Sequence, residues 1–237
     1  MKQIPLDVQL ADYAVFDTWL AGDNAALVHA LKQAATVQTF TLCWLWGAPE
    51  SGKTHLLQAC VNEAHNNNFR TAYLPVGPGS ELEPAIVENM GDLDVICIDE
   101  VDTVAGHDAW EQAIFGLFES ARQRGSRLIF AAEKPPLHCT FSLPDLVSRF
   151  SIGATFRLRS LADDDKIKAM QLRAHWLGLE LPDDVAHFLF LRIARGNHFL
   201  FNMLERLDKK ALTEQKRLTI PFVRSFLADD ANKAGSK

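Results

Sequence analysis

The stretch that most constrains this chain is Trp44 to Ala59, WLWGAPESGKTHLLQA, in which an apolar run ends at Gly47, Gly52-Lys53-Thr54 follows five residues on, and an amphipathic stretch begins. It fits G-x-x-x-x-G-K-[ST] between a buried strand and a helix, the setting in which that pattern holds a phosphate. The glycines let the backbone curl so that successive N–H groups and a helix N-terminus face an anion. Lys53 supplies a point charge and Thr54 a hydroxyl suited to Mg²⁺.

The surrounding pattern supplies the frame. Apolar runs of strand length, TFTLCWLW, RTAYLPV, DLDVICID and SRLIFAAE, alternate with helical periodicity from Lys53, near Pro84 to Met90, and over AWEQAIFGLFESARQR. A further helix begins after Asp23 or Asn24, either of which suits its N-cap. Continuous apolar strands separated by helices predict an α/β fold with a parallel sheet covered on both faces. After ATFRLRSL the strands stop, and Asp163 to Lys216 reads as helices with a last one in IPFVRSFL. The expected organisation is an N-terminal tail over 1–15, a nucleotide-binding core over 16–161, a small all-helical unit over 162–230, and a polar tail over 231–237 without structure.

DVICIDE adds chemistry to the frame, because Asp99 and Glu100 fall at the carboxyl end of a buried strand, where open α/β sheets bind ligands. Asp99 is placed to orient Mg²⁺ through water alongside Thr54, and Glu100 to polarise an attacking water.

Composition narrows the function classes. With 24 basic against 30 acidic residues the net charge is −6, so no chain-wide positive field exists to gather nucleic-acid phosphates. No stretch approaches the ~20 apolar residues of a membrane span, and the N-terminus lacks the apolar core of a secretion signal. The four cysteines are scattered without metal-ligand spacing, predicting reduced, mostly buried thiols in a cytoplasmic protein with no membrane partner.

Four further stretches carry a family resemblance. FDTWLAGDNAAL resembles the segment ahead of the core in DnaA-type initiators, and GKTHLLQA the start of their phosphate-loop helix. SRLIFAAEKPP looks like their fourth strand, with Glu133 at the sensor-1 place, and LPDLVSRF is similar to the box that carries their arginine finger, here Arg149. The resemblance spans Phe16 to Leu227 and implies a P-loop AAA+ core with a five-stranded parallel sheet followed by a small helical lid. It also implies that Asp17, Gly22, Asn24, Gly47, Pro49, Glu50, Ser51, Gly52, Lys53, Thr54 and His55 surround ADP or ATP with Mg²⁺. The initiators continue into a helix-turn-helix domain, whereas this chain ends soon after RLTIPFVRSFL and is acidic.

At the N-terminus, QIPLDV resembles the peptide with which many bacterial proteins dock on the replicative sliding clamp, the polymerase beta subunit. Gln3 would hydrogen-bond in the cleft while Leu6 and Val8 fill an apolar pocket. Together these features resemble the Hda type of DnaA-related replication regulator. That resemblance implies a protein that sits on DNA-loaded clamps, touching DNA only through them, holds ADP in its active form, and stimulates ATP hydrolysis by DnaA through Arg149. It would be a stimulator more than a fast ATPase, and so an inhibitor of repeated initiation. Self-association is left open.

The lid departs from the family pattern. Ungapped alignment through RIARGNHFLFNMLERL puts His198 where the family has a sensor-2 arginine, with Arg195 three residues away as the other candidate. A neutral imidazole holds a terminal phosphate less well than a guanidinium, which argues against efficient turnover. The competing reading is an autonomous ATPase of helicase-loader type, supported by the intact Gly47–Thr54 and Asp99–Glu100 groups.

Overall fold

The computed structural model describes the backbone of residues 14–88, 90–192 and 197–234, and the side chains of these except 197–202 and 231–234. Gln3, Leu6, Val8 and Arg195 lie outside the described residues.

Two compact units emerge. One takes in Phe16 and Asp23–Ser160, the other Asp17–Gly22 and Leu161–Lys237. Grouping Asp17 and Gly22 with the second unit departs from the expected boundary at 161. Gly22 has φ +48, a left-handed conformation suited to glycine, and a Cβ there would lie 3.3 Å from Leu161 Cδ2.

In the first unit, β1 (Thr41–Trp46), β2 (Thr71–Pro75), β3 (Val95–Asp99), β4 (Arg127–Ala132) and β5 (Ala154–Arg157) form one parallel sheet in the order β2-β3-β4-β1-β5. Four strands match the four apolar runs, and the wholly buried β3 and β4 show why, since strands covered on both faces need no polar alternation; β5, mostly exposed at the edge of the sheet, falls in ATFRLRSL. Leu42, Trp44, Ile96, Ile98, Leu128 and Phe130 reach one layer of core, which includes Ile114, Leu117 and Phe118 of α4 (Asp108–Arg124). Leu146 and Phe150 of α5 (Pro144–Phe150) close that layer. Phe150 is fully buried, its ring centroid 4.8 Å from that of Trp44 and 5.0 Å from that of Phe130.

Helices α1 (Ala25–Thr36) and α2 (Lys53–Asn66) also belong to this unit, as does the short α3 (Ala85–Glu88). Asn24 stands at the N-cap of α1 but makes no capping bond there. Its amide instead donates to the Arg159 carbonyl at 3.0 Å and accepts from the Arg159 N–H at 2.9 Å. Two good bonds to the backbone of one residue outweigh the single bond a cap would give. Cys43, Cys60 and Cys97 are buried free thiols, Cys139 is partly buried, and burial pushes Cys43 up to about 12. Arg127 is wholly buried, with Nε donating to the Ala34 carbonyl at the last turn of α1 and the guanidinium stacked 4.2 Å from the Phe69 ring centroid. A cation suits the negative end of that helix.

The second unit is helical: α6 (Asp163–Trp176), α7 (Asp183–Arg192), α8 (Asn197–Glu214) and α9 (Ile220–Ala234). Its own core gathers Met170, Val185, Leu189, Leu204, Leu207 and Val223. The last helix runs through Ala234, beyond the apolar stretch, where the sequence suggested an unstructured tail. Asp229 pairs with Lys210, and Asp230 with Arg206, which gives the polar end of α9 partners on α8. No helix among the described residues is long and apolar enough to cross a membrane.

Candidate phosphate-binding site

The site grows from the carboxyl end of β1. Gly47 leaves the strand with its N–H donating to the Ala132 carbonyl, and a Cβ there would lie 2.9 Å from the Leu158 carbonyl oxygen and 3.1 Å from Ser51 Oγ. Glycine is therefore required by close approach. The loop then turns through Glu50 (φ 58) and Gly52 (φ 99), both left-handed. Gly52 is the N-cap of α2, which has no side-chain cap and no acid in its first turn. The first amides of a helix have no intrahelical acceptor, so this end presents donors and positive potential.

Two observations test whether an anion fits. Ser51 Oγ is buried without a hydrogen-bond partner among the described residues, facing into the loop that Gly47 keeps open. Lys53 is largely buried, its Nζ donating to the Gly47 and Ala48 carbonyls at 2.8 and 2.9 Å. The ammonium is thus held at the loop by its own peptides. A buried cation, an orphan hydroxyl and an uncapped helix start suit a polyphosphate.

Beside the loop, Thr54 Oγ1 donates to Asp99 Oδ2 at 2.6 Å, and Tyr73 donates to the same oxygen at 2.9 Å. Asp99 is almost wholly buried, and its other oxygen accepts the Glu100 N–H at 3.0 Å. The hydroxyl and carboxylate expected to serve Mg²⁺ are therefore adjacent. Burial, with Asp99 adding, pushes the Tyr73 phenol far above its ordinary value, so it remains a donor to Asp99.

Glu100 occupies a left-handed backbone position (φ 57), and its carboxylate lies where a Cβ on Gly77 would be. Burial raises its pKa, and Asp99, Asp102 and Glu133 add to the rise while Lys53 opposes it. Glu133 follows β4 and is exposed, its N–H donating to Asp102 Oδ2 at 3.0 Å. The acids assigned from sequence thus share one edge of the sheet.

Other assigned residues have different surroundings. Pro49 is exposed on the loop, and the His55 ring nitrogen lies 3.1 Å from the Val15 carbonyl. Asn24 is committed to Arg159, as described above. Asp17 and Gly22 lie in 3-10 turns of the second unit, and His198 lies in α8. Arg149 projects from α5 onto α4, where Nη2 lies 3.2 Å from Glu119 Oε1 and the guanidinium carbon lies 5.6 Å from the Phe118 ring centroid.

Two buried polar residues escaped sequence reasoning. Tyr73 gives no pattern that separates it from an ordinary strand aromatic. Glu111 could have been found, because it interrupts the apolar stripe of α4 three residues before Ile114 and seven before Phe118. Its carboxylate is 1% exposed and accepts the N–H groups of Gly106 at 2.7 Å, Ser142 at 2.9 Å and Leu143 at 2.7 Å.

A five-stranded parallel sheet in this order, with a glycine loop leading into α2, acids after β3 and a separate helical unit, defines a P-loop AAA+ protein. Comparison agrees with the geometry. Domain III of the replication initiation protein DnaA from Thermotoga maritima superposes with a TM-score of 0.76 at 20% identity, over 93% of this chain and 98% of that one. AMPPCP-bound DnaA from Aquifex aeolicus gives 0.66 at 19% identity, over 84% of this chain and 66% of that one. The RuvB Holliday junction branch migration motor of Thermotoga maritima gives 0.60 at 19%, over 87% and 68%. At such identities the likeness is one of fold.

An uncharacterized protein of Haemophilus influenzae is 38% identical over 227 residues, 95% of this chain and 98% of the relative. The family described as "Hda, lid domain" matches residues 163–227. The chain belongs to the Hda-like family of DnaA-related AAA+ proteins.

Proposed function

We propose that this DnaA-related replication regulator binds an adenine nucleotide at Gly47–Thr54, ADP in its active form, and uses Arg149 to stimulate ATP hydrolysis by DnaA. Docking on the sliding clamp through Gln3, Leu6 and Val8 would bring it to DNA. Nucleotide binding is supported by the loop's fit to an anion and by relatives of the same fold solved with AMPPCP.

When bound, the nucleotide and Mg²⁺ supply the charges that complete the loop. The chain's own residues would do the rest: the amides at the start of α2 and the Lys53 ammonium would hold the phosphates, Ser51 would donate its hydroxyl, and Thr54 and Asp99 would hold the cation. Arg149 offers a planar, permanently charged fork to negative charge developing on a neighbour's γ-phosphate.

The observation that carries this reading is that Arg149's described partners, Glu119, Phe115 and Phe118, all lie on α4, while Lys53 is bonded to the phosphate loop and Thr54 to Asp99. An arginine serving its own chain's nucleotide belongs with those residues. Arg149→Ala is expected to keep ADP binding while DnaA hydrolysis in the presence of loaded clamp falls by ~10³-fold, the lower range for loss of an arginine finger. Loss of ADP binding in the same variant would place Arg149 at its own chain's site and end the reading. Gln3→Ala is expected to abolish clamp pulldown, and unchanged capture would remove the clamp from the proposal.

The acids give a second reading, an autonomous motor. Glu100, raised in pKa and close to Asp99, Asp102 and Glu133, has the character of a general base. Rapid ATP turnover by the protein alone, abolished by Glu100→Gln, would favour the motor. Slow turnover with retained ADP would favour the regulator.

A further inference from the structure

Helix α5 is seven residues long, and its N-cap, Leu143, offers no side-chain capping bond. So short a helix has little stability of its own. It is held at both ends. At its far end Phe150 is buried among Trp44, Phe130 and Phe141. At its entrance the peptides of Ser142 and Leu143 donate to the Glu111 carboxylate of α4.

Glu111 also accepts the Gly106 N–H, in the turn that follows Asp99, Glu100 and Asp102. One buried carboxylate therefore ties the segment after the β3 acids to the segment before α5. Two helical turns further along α4, ~12 Å at 1.5 Å per residue, Glu119 meets the Arg149 guanidinium at 3.2 Å. Phe115 and Phe118 of the same helix lie under that guanidinium, at 6.0 and 5.6 Å from the ring centroids.

We infer that Glu111 and Glu119 are the positioning residues of Arg149: α4 fixes the entrance of α5 through the first and the pose of the guanidinium through the second. A free arginine side chain has many rotamers, and holding it beforehand removes an ordering cost from the reaction it serves. Neither carboxylate touches the reacting atoms. The role rests on Arg149 being the group that reaches the partner's nucleotide.

The test uses the full-length protein with clamp loaded on DNA and ATP-bound DnaA, and compares Arg149→Ala, Glu119→Gln and Glu111→Gln with the wild type. For Glu119→Gln the maximal stimulated hydrolysis rate is expected to fall by about fivefold, the most that a partly exposed ion pair supplies. The half-saturating concentration and the ADP affinity should stay unchanged and the melting temperature should fall by no more than about 4 °C, a split that a merely structural role would not produce. Glu111→Gln, assayed well below its melting point, should lower the maximal rate further with ADP affinity intact.

If Arg149→Ala abolishes stimulation while both glutamine variants match the wild type, the positioning role is overturned and the finger stands. If Arg149→Ala itself stimulates normally, the reading of Arg149 falls and this inference with it.

Discussion

The buried carboxylate of Glu111 permits a stability prediction built from its bonds. In Glu111→Gln the shape is kept, and one oxygen remains to accept from Gly106 and Ser142, formerly at 2.7 and 2.9 Å. The new NH₂ group then faces the Leu143 N–H, donor against donor, where Oε2 had accepted at 2.7 Å. Losing one hydrogen bond to a charged group costs about 1.5–3 kcal/mol, and the two retained bonds weaken from charge-assisted to neutral. Relief from burying a charge offsets part of this, leaving a net loss of about 3 kcal/mol. For a chain of this size that lowers the melting temperature by about 6–12 °C. Urea unfolding followed by tryptophan fluorescence reads the loss directly, since Trp44 lies against Phe150 of the tethered helix. A change below ~0.5 kcal/mol, the range of an ordinary surface substitution, would refute the claim that this carboxylate holds the three peptides.

Three further outcomes follow from the site. Lys53→Ala should lower ADP affinity by at least ~10-fold in calorimetry, because one charge-assisted bond in a buried site contributes 1.5–3 kcal/mol; unchanged affinity would remove the lysine from the phosphate site. Gly47→Ala should abolish ADP uptake with the sheet intact by circular dichroism, since its Cβ would meet the Leu158 carbonyl, a backbone atom that cannot swing away. Glu100→Gln should raise the melting temperature at pH 7, with the gain vanishing on acidification. The folded state raises this carboxyl above its ordinary 4.5 and so binds more protons than the unfolded chain. Wild-type stability therefore falls as pH rises through that window and stays lower above it, a penalty the amide lacks. A gain that persists below pH 4 would point to another cause.

How much was legible beforehand differs along the chain. The central strands were readable because burial on both faces writes itself as unbroken apolar runs, as in LIFAA and VICI. The phosphate loop was readable because Gly47, Gly52, Lys53 and Thr54 fall in one short stretch and Gly52 is demanded locally by φ 99, whereas the close approach that demands Gly47 comes from the distant Leu158. Asn24 takes the N-cap position that its residue type suggested, but its side chain bonds Arg159, 135 residues away, which no local pattern announces. The polar end of α9 resembles a loose tail until Lys210 and Arg206 are placed opposite it.

By itself the sequence determined the chemistry available at one sheet edge: a strand that must end at Gly47, a helix that must begin at Lys53, and acids at the end of another buried strand. Each is dictated by short-range backbone sterics and by which residues avoid water. Only the tertiary structure decided how those groups and the candidate finger are held. Tyr73 and Thr54 share one oxygen of Asp99, Glu111 joins three peptides from two loops, and Glu119 receives Arg149 thirty residues on. Such pairings depend on strand order and helix docking, and hydrogen bonds formed between segments distant in sequence leave no periodicity to read.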